Sequence, residues 1–477
     1  MTLAVLSSLG LVTLFGETMV QPALPDFVRD FRISYETSSW ILSAFLISGA
    51  VMTPISGKLS DTYGKKKVLM AVMAVYCIGV LAAGFATSIE WMVAARVVMG
   101  VGFSAFPVAF GIIRESLPES KLAIGQTVFG STFSGGAVIG LVAGAGIIQT
   151  FGWHFTFFAV LPVAVGVTLI IERFITEPPR RAYQGAPMGG GGSDLARAPL
   201  DFKGIGLLAA TVVSFLSGIS LLESSTTDPS VGVEIAGLMV VSAVTLALLL
   251  VQERRTSNPL IDLGLLTNKT ILPATLILMV IGTCTFMVYQ TISILVQSPQ
   301  PLGFGGDKVA TAAVLLPFMA VLLVGTIGSG FILNRLGNGR MTAMGCALSA
   351  VGFFGLLMFH SSELTVTLML ALIAAGLSFA FTGGFNMVLV SSPMQSTGIA
   401  LGMVLLLNLV FQSIGPAIAA TFQGLNQGTV PGVEGTFPTQ EAYYLIFLTA
   451  AVLSLVSVPL ALVLSRRQQH AVAPPGI

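Results

Sequence analysis

The sequence predicts an all-α polytopic membrane protein, and three observations carry that prediction. Hydrophobic residues make up 54% of the 477 residues and charged residues 9%, with a mean hydropathy of +0.92, whereas a soluble domain is about one quarter charged. The apolar residues gather in windows of about twenty, the length a helix needs to cross a bilayer, instead of the short alternating strands of an outer-membrane barrel. Lys and Arg are spread unevenly between alternate loops. Together these exclude a soluble enzyme, a disordered chain and a secreted disulfide scaffold, and the net charge of +1 excludes a strongly basic nucleic-acid binder.

Fourteen windows qualify as spans: 4–26, 39–59, 67–87, 91–113, 123–150, 154–174, 203–223, 232–252, 270–296, 308–333, 341–360, 364–390, 398–424 and 441–465. An even number puts both termini on one side. Of the 22 Lys and Arg residues, eighteen fall in loops or at span ends on that side, three (Arg29, Arg32, Lys308) fall on the opposite side and Arg96 lies deep inside a span. Positive charge stays inside, so both termini are expected in the cytoplasm of a plasma-membrane protein. The first twenty residues lack the basic start of a cleavable signal peptide and run into a Pro-rich turn.

The chain divides at a Pro/Gly/Arg-rich cytoplasmic linker, 175–202. Before it lies a six-helix bundle, 1–174. After it come an inserted helix pair, 203–252, a cytoplasmic linker, 253–269, a second six-helix bundle, 270–466, and a tail, 467–477. An internal repeat supports the division. Gly57-Lys58-Leu59-Ser60-Asp61-Thr62-Tyr63-Gly64-Lys65-Lys66-Lys67 follows span two, and Gly330-Phe331-Ile332-Leu333-Asn334-Arg335-Leu336-Gly337 follows span ten. Paired parallel halves are the repeat logic of many secondary transporters. In the first copy Gly57 permits close helix approach, Asp61 suits a helix N-terminus and Gly64 permits a turn. In the second, Asn334 replaces the acid, so an ion pair is replaced by a hydrogen bond.

Two charges lie deep inside spans. Arg96, followed by Gly100 and Gly102, sits in span four, where a charge is costly and marks function unless it snorkels to an interface. Glu17, in Phe15-Gly16-Glu17-Thr18, is the acid deep in span one, ahead of Gln21, Pro22 and Pro25, which break helix regularity. Burial and a nearby guanidinium act in opposite directions on a carboxyl's proton affinity, which suits a group that exchanges protons; the alternative is a permanently hydrogen-bonded structural Glu. In span five Gly136, Gly140 and Gly144 recur every four residues, a close-packing face.

These motifs resemble the major facilitator superfamily, and within it the fourteen-span drug:proton antiporters. The Gly57–Lys67 stretch matches the signature G-x-L-x-D-x-x-G-[RK]-[RK]. The resemblance implies a cytoplasmic gate of Gly57, Asp61, Gly64, Lys65 and Arg114, echoed by Gly330, Asn334 and Arg335, with Arg114 a candidate partner of Asp61. It implies proton coupling by Glu17 beside Arg96. Many relatives carry the acid one residue earlier, at the place of Gly16. Span five departs from the antiporter pattern, with Ala137 and Leu141 where prolines are expected. Phe151-Gly152-Trp153-His154 is similar to the family's G-W-R-W turn, with His154 in place of Arg, and Asp201-Phe202-Lys203-Gly204, Glu253-Arg254-Arg255 and Asn258-Pro259-Leu260-Ile261-Asp262 resemble linker signatures of the fourteen-span subgroup.

The implied cavity between the halves makes Gln21, Phe103, Phe106, Gln126, Tyr289, Gln290, Phe385, Asn386, Asn408 and Gln412 candidate substrate contacts. The 31 Phe and 19 Met suit an apolar, adaptable cavity, and one basic residue within the spans disfavours a polyanion. The expected activity is proton-coupled export of amphipathic neutral or cationic compounds by a monomer in a lipid bilayer. A proton-coupled importer or uniporter is the alternative, and a receptor or scramblase a remote one. No nucleophile–base constellation suggests an enzyme. Cys77, Cys284 and Cys346 read as core residues, and His154, His360 and His470 form no metal-ligand spacing. No cofactor is expected; the coupling ion is a proton.

Overall fold

The computed structural model describes residues 1–20, 23–33, 35–175, 201–221, 229–256, 261–306, 308–393, 397–432 and 436–472. Helices dominate: α1 (Thr2–Thr18), α2 (Leu24–Phe31), α3 (Tyr35–Tyr63), α4 (Lys65–Gly84), α5 (Ile89–Gly100), a 3-10 turn (Val101–Ser104), α6 (Ala105–Ser116), α7 (Glu119–Phe151), α8 (His154–Phe174), α9 (Phe202–Leu221) and α10 (Pro229–Arg255). They continue with α11 (Leu263–Leu266), α12 (Ile271–Gln297), α13 (Lys308–Leu336), α14 (Asn338–Met358), α15 (Glu363–Ser391), α16 (Thr397–Leu425) and α17 (Gln440–Val472). Between α16 and α17, β1 (Gln427–Gly428) and β2 (Phe437–Pro438) pair antiparallel, a hairpin that apolar windows do not reveal.

Among the described residues thirteen helices, counting Ile89–Ser116 as one, are long and apolar enough to cross a membrane. The protein is an all-α polytopic membrane protein. Helices suit this environment because each satisfies its own backbone hydrogen bonds. The first expected span is the exception. It does not run through 4–26: α1 stops at Thr18 and a separate, strongly amphipathic α2 begins at Leu24. Pro22 and Pro25 supply the reason, since neither can donate the backbone hydrogen bond a continuous helix requires. Most of the expected linker, 176–200, and Asn258, Pro259 and Leu260 lie outside the described residues.

The chain forms two compact units. The first comprises Met1–Ser214, Val240–Leu266 and Ser392–Leu406; the second comprises Phe215–Met239, Thr267–Ser391 and Leu407–Ile477. The inserted helices α9 and α10 are thus shared between them. In the first unit α1 packs along α7, and the expected glycine stripe is the reason. A Cβ added to Gly136 would lie 2.7 Å from the Leu11 carbonyl oxygen, one on Gly140 2.8 Å from that of Phe15, and one on Gly144 2.9 Å from Met19 Cα. Thr18 Oγ1 completes the contact by donating to the Ala137 carbonyl (3.1 Å). An aromatic ladder fills the space behind: Phe103 lies 5.1 Å from Phe106, Phe106 5.5 Å from Phe129, and Phe129 4.8 Å from Phe110. In the second unit α14 packs on α15 and α17, and α12 on α15 and α17.

Outside the spans, α2 is held by aromatic packing and one polar bond. Phe27 and Phe31 pack edge-on to Trp153 (4.8 and 5.7 Å), whose indole Nε1–H donates to Asp30 (2.9 Å). That bond, with help from Arg29, holds the Asp30 carboxyl below the usual carboxylate range. His154, stacked on Trp153 at 3.5 Å, contributes a smaller attraction.

Candidate functional site

Arg96 is fully buried. Its Nε donates to the Ile41 carbonyl of α3 (2.9 Å), its Nη1 donates to the Gly16 carbonyl of α1 (3.0 Å), and its guanidinium lies 4.5 Å over the Phe45 ring. The guanidinium therefore points inward, which overturns the snorkelling alternative, and ties α1 and α3 to α5. Its Nη2 is buried with no hydrogen-bond partner among the described residues. A buried donor without an acceptor costs roughly 1–3 kcal/mol, more when charged.

The nearest acid is Glu17, whose charge acts on Arg96 through space. Among the described residues Glu17 has no hydrogen-bond or ion-pair partner, and it is half-buried. The neighbouring position explains this. A Cβ on Gly16 would collide with the Tyr76 hydroxyl, which itself donates to the Val12 carbonyl (3.2 Å). The α1 face toward Tyr76 and Arg96 therefore accepts only glycine, and the acid stands one residue round the helix.

At the end of α3 rich in Lys and Arg, Asp61 accepts a hydrogen bond from the Ile399 backbone N–H (3.2 Å) in the first turn of α16. A carboxylate at a helix N-terminus meets unsatisfied N–H groups and the positive end of the dipole. The helix it bonds is α16 and not the sequence-adjacent α4, whose N-terminus carries no side-chain cap. Gly57 makes this approach possible, since a Cβ there would strike the Gly398 carbonyl. The Asp61–Arg114 pairing expected from sequence does not form. Arg114 donates instead to Thr397 Oγ1 and to the Ser392 carbonyl (2.8 Å). Asp61 and Arg114 thus grip the same segment at separate points. Asp61 pairs with Lys65 (3.6 Å), and Lys65 pairs with Glu115 of α6 (2.6 Å). Gly64, with φ 106°, makes the turn between α3 and α4.

The second copy keeps the backbone and changes the chemistry. Gly337 turns at φ 76°, and Asn386 Nδ2 of α15 donates to Asn338 Oδ1 (2.7 Å). Gly330 is buried and Arg335 is exposed; the Asn334 side chain lies outside the described residues.

This arrangement has relatives. The sequence pattern of the Major Facilitator Superfamily matches residues 6–420. The chain belongs to the major facilitator superfamily. It is 26% identical over 415 residues to an MFS-type transporter of Mycobacterium tuberculosis (strain CDC 1551 / Oshkosh), with 85% of this chain and 57% of the relative covered. The chain thus spans little more than half of that relative's length. It is 24% identical to multidrug resistance protein 3 of Bacillus subtilis (strain 168), with 79% of this chain and 70% of the relative covered. It is also 24% identical to the tetracenomycin C resistance and export protein of Streptomyces glaucescens, with 87% and 74% covered. The crystal structure of the human organic anion transporter MFSD10 (TETRAN) matches with a TM-score of 0.70 at 15% identity, covering 96% of this chain and 98% of that one, a likeness of fold. Membership in this transporter family accords with transport and not with covalent catalysis. Among the described residues no group of three or more His, Cys, Asp or Glu could hold a metal ion.

Within this major-facilitator frame the candidate substrate contacts fall into two classes. Phe103 and Phe106 are buried in the aromatic ladder, and Gln126 is buried with Nε2 unpartnered among the described residues. Asn386 is engaged by Asn338, and Asn408 donates to the Leu278 carbonyl of α12 (3.1 Å) while accepting from Gln412. Tyr289, Gln290, Phe385 and Gln412 are half-buried; Tyr289 lies 6.0 Å from Phe318 and Phe385 5.6 Å from Phe381. Gln21 lies outside the described residues. Sequence reasoning passed over Glu115 and Tyr76. Glu115 had a signal, being the acid beside Arg114 at the end of span four; Tyr76 had none.

Proposed function

We propose that this protein is a proton-coupled secondary transporter that exports amphipathic neutral or cationic compounds by alternating access. The observation that carries the reading is the juxtaposition of a buried, incompletely satisfied Arg96 with the half-buried carboxyl of Glu17, which has no hydrogen-bond or ion-pair partner among the described residues. A structural glutamate would be held by donors. This one is left able to gain and lose a proton. Coupling then requires that proton and substrate bias the two conformations differently. The multidrug resistance protein and the tetracenomycin C resistance and export protein among the relatives support export. In this reading α1 is the first of fourteen spans, both termini are cytoplasmic in the plasma membrane, and the monomer is the functional unit. The turn of Gly57, Asp61, Gly64 and Lys65 with Arg114 is the cytoplasmic gate, and Gly330, Asn334 and Arg335 are its weaker echo.

The test is uptake of ethidium, a lipophilic cation, into energised inside-out vesicles. Glu17→Gln abolishes proton-driven accumulation and leaves ethidium exchange across the membrane intact. Normal accumulation by Glu17→Gln defeats the coupling assignment. A second reading, proton-coupled import or uniport, draws on Ala137 and Leu141 at the places of the antiporter prolines. Accumulation in right-side-out vesicles distinguishes it.

A further inference from the structure

Within the first unit, the ends of the inserted helix pair and of α3 carry a cluster of buried charge. Lys58, the second residue of the turn motif, is 3% exposed, and Glu253 near the end of α10 is 4% exposed. A lysine ammonium and a carboxylate are costly to bury unless they compensate each other. Lys58 is attracted first to Glu253 and then to Asp201. The two carboxylates converge: a Cβ on Gly204 would lie 2.9 Å from Asp201 Oδ2 and 3.0 Å from Glu253 Oε1.

Each acid is also fixed by donors. Asp201 caps α9, accepting from the Gly204 N–H (2.9 Å), and approaches Gln252 Nε2 and Thr256 Oγ1 (both 3.3 Å). Partial burial pushes the Asp201 carboxyl up, but these bonds and the Lys58 charge together hold it below the usual carboxylate range. Glu253 accepts from the Ile261 N–H (3.2 Å). Deeper along the pair, Thr211 Oγ1 bonds Thr245 Oγ1 (3.0 Å) and Ser242 Oγ donates to the Thr211 carbonyl (3.1 Å), so α9 and α10 are fastened to each other.

Lys58 and Asp61 lie one turn apart on α3 and engage different elements. Asp61 holds the first turn of α16, and the charge of the buried Lys58 is attracted to the acids of the inserted pair. The end of α3 is therefore bracketed. We propose that Lys58, Asp201 and Glu253 form a clamp by which the inserted helices position the end of α3, and through it the contact of Asp61 with α16. This rests on the reading of the Asp61 turn as the gate. The role of the extra pair is then mechanical: it sets how readily the gate releases. Lys58 and Glu253 are positioning residues, with no contact to substrate required.

Amide hydrogen exchange on the full chain in detergent micelles tests this without a substrate. The Gly204 and Ile261 amides report the clamp, and the Ile399 amide reports the gate. Lys58→Glu accelerates exchange at all three by roughly tenfold or more, as local opening without global unfolding does. The exchanged pair Lys58→Glu with Glu253→Lys returns all three toward the native rate. The milder Glu253→Gln, which keeps the side chain's size, shows the same direction if Lys58→Glu does not fold. Unchanged exchange at Gly204 and Ile261 in these variants overturns the clamp, as does an exchanged pair no better than the worse single variant. Faster exchange at Gly204 and Ile261 with Ile399 unmoved overturns its tie to the gate. Asp61→Asn is the separate control for the gate itself: it accelerates Ile399 alone, and a null result there defeats the gate reading while leaving the clamp result intact.

Discussion

Gly64 and Gly337 occupy the same place in the two repeats, both with positive φ (106° and 76°), and each is followed by a residue bonded to a later helix of its own half. In the first repeat Lys65 reaches Glu115, fifty residues on, at 2.6 Å. In the second Asn338 receives Asn386, forty-eight residues on, at 2.7 Å. The backbone solution is common and the chemistry is not. A charged clasp attracts at range and responds to neighbouring charge; an amide clasp is short-ranged and indifferent to both. The first turn also carries Asp61 at the N-terminus of α16, where the second carries Asn334. The contrast teaches that glycine conformation builds the turn, while ionic chemistry in one copy makes it responsive.

Making the two turns more alike tests this. The largest effect belongs to Asp61→Asn, which gives the first turn the second's residue. Proton-driven ethidium accumulation falls by roughly tenfold or more, the range of a coupling energy above 1.4 kcal/mol, whereas Asn334→Asp changes it little. Equal effects break the comparison. Next is Lys65→Ala, which leaves Glu115 half-buried without its cation. The pair is partly exposed, so the loss is about 1–3 kcal/mol, below that of a fully buried pair. Lys65→Asn with Glu115→Asn, the amide version, recovers most of it, as thermal unfolding in detergent shows. Asn386→Ala in the second turn costs about 1–2 kcal/mol, and its cost is the same at low and high salt, unlike that of Lys65→Ala.

The smallest effect lies at Asp30. Its lowered pKa means that the Asp30–Trp153 bond adds stability above the ordinary carboxylate range. That stability is lost as pH falls through the lowered value. The side chain is 37% exposed, so the contribution is below about 1 kcal/mol. Trp153 fluorescence follows the loss on acidification, and Asp30→Asn removes the dependence.

The helices were largely legible because long apolar windows report them directly: α8 coincides with the expected 154–174, and α12 differs from 270–296 by one residue at each end. The end of α1 was not, because a hydropathy window averages over Pro22 and Pro25 and does not see a broken hydrogen-bond chain. At the site, motif spacing picked out Asp61, Arg96 and Glu17, but not what they touch. Ile399 is 338 positions from Asp61, and nothing local announces it. Lys58 had a signal in its spacing, three residues before Asp61, and so did the acids of the linker signatures. Sequence alone could not show that these three charges act on one another.

The glycine stripe on α7 has a further consequence. Gly136, Gly140 and Gly144 seat against Leu11, Phe15 and Met19 in step, like teeth in a rack cut at four-residue intervals. A slip of one or two residues would set side chains against bare backbone. The helix bearing Glu17 is therefore held in register, and the next equivalent seat lies a whole tooth of about 6 Å away.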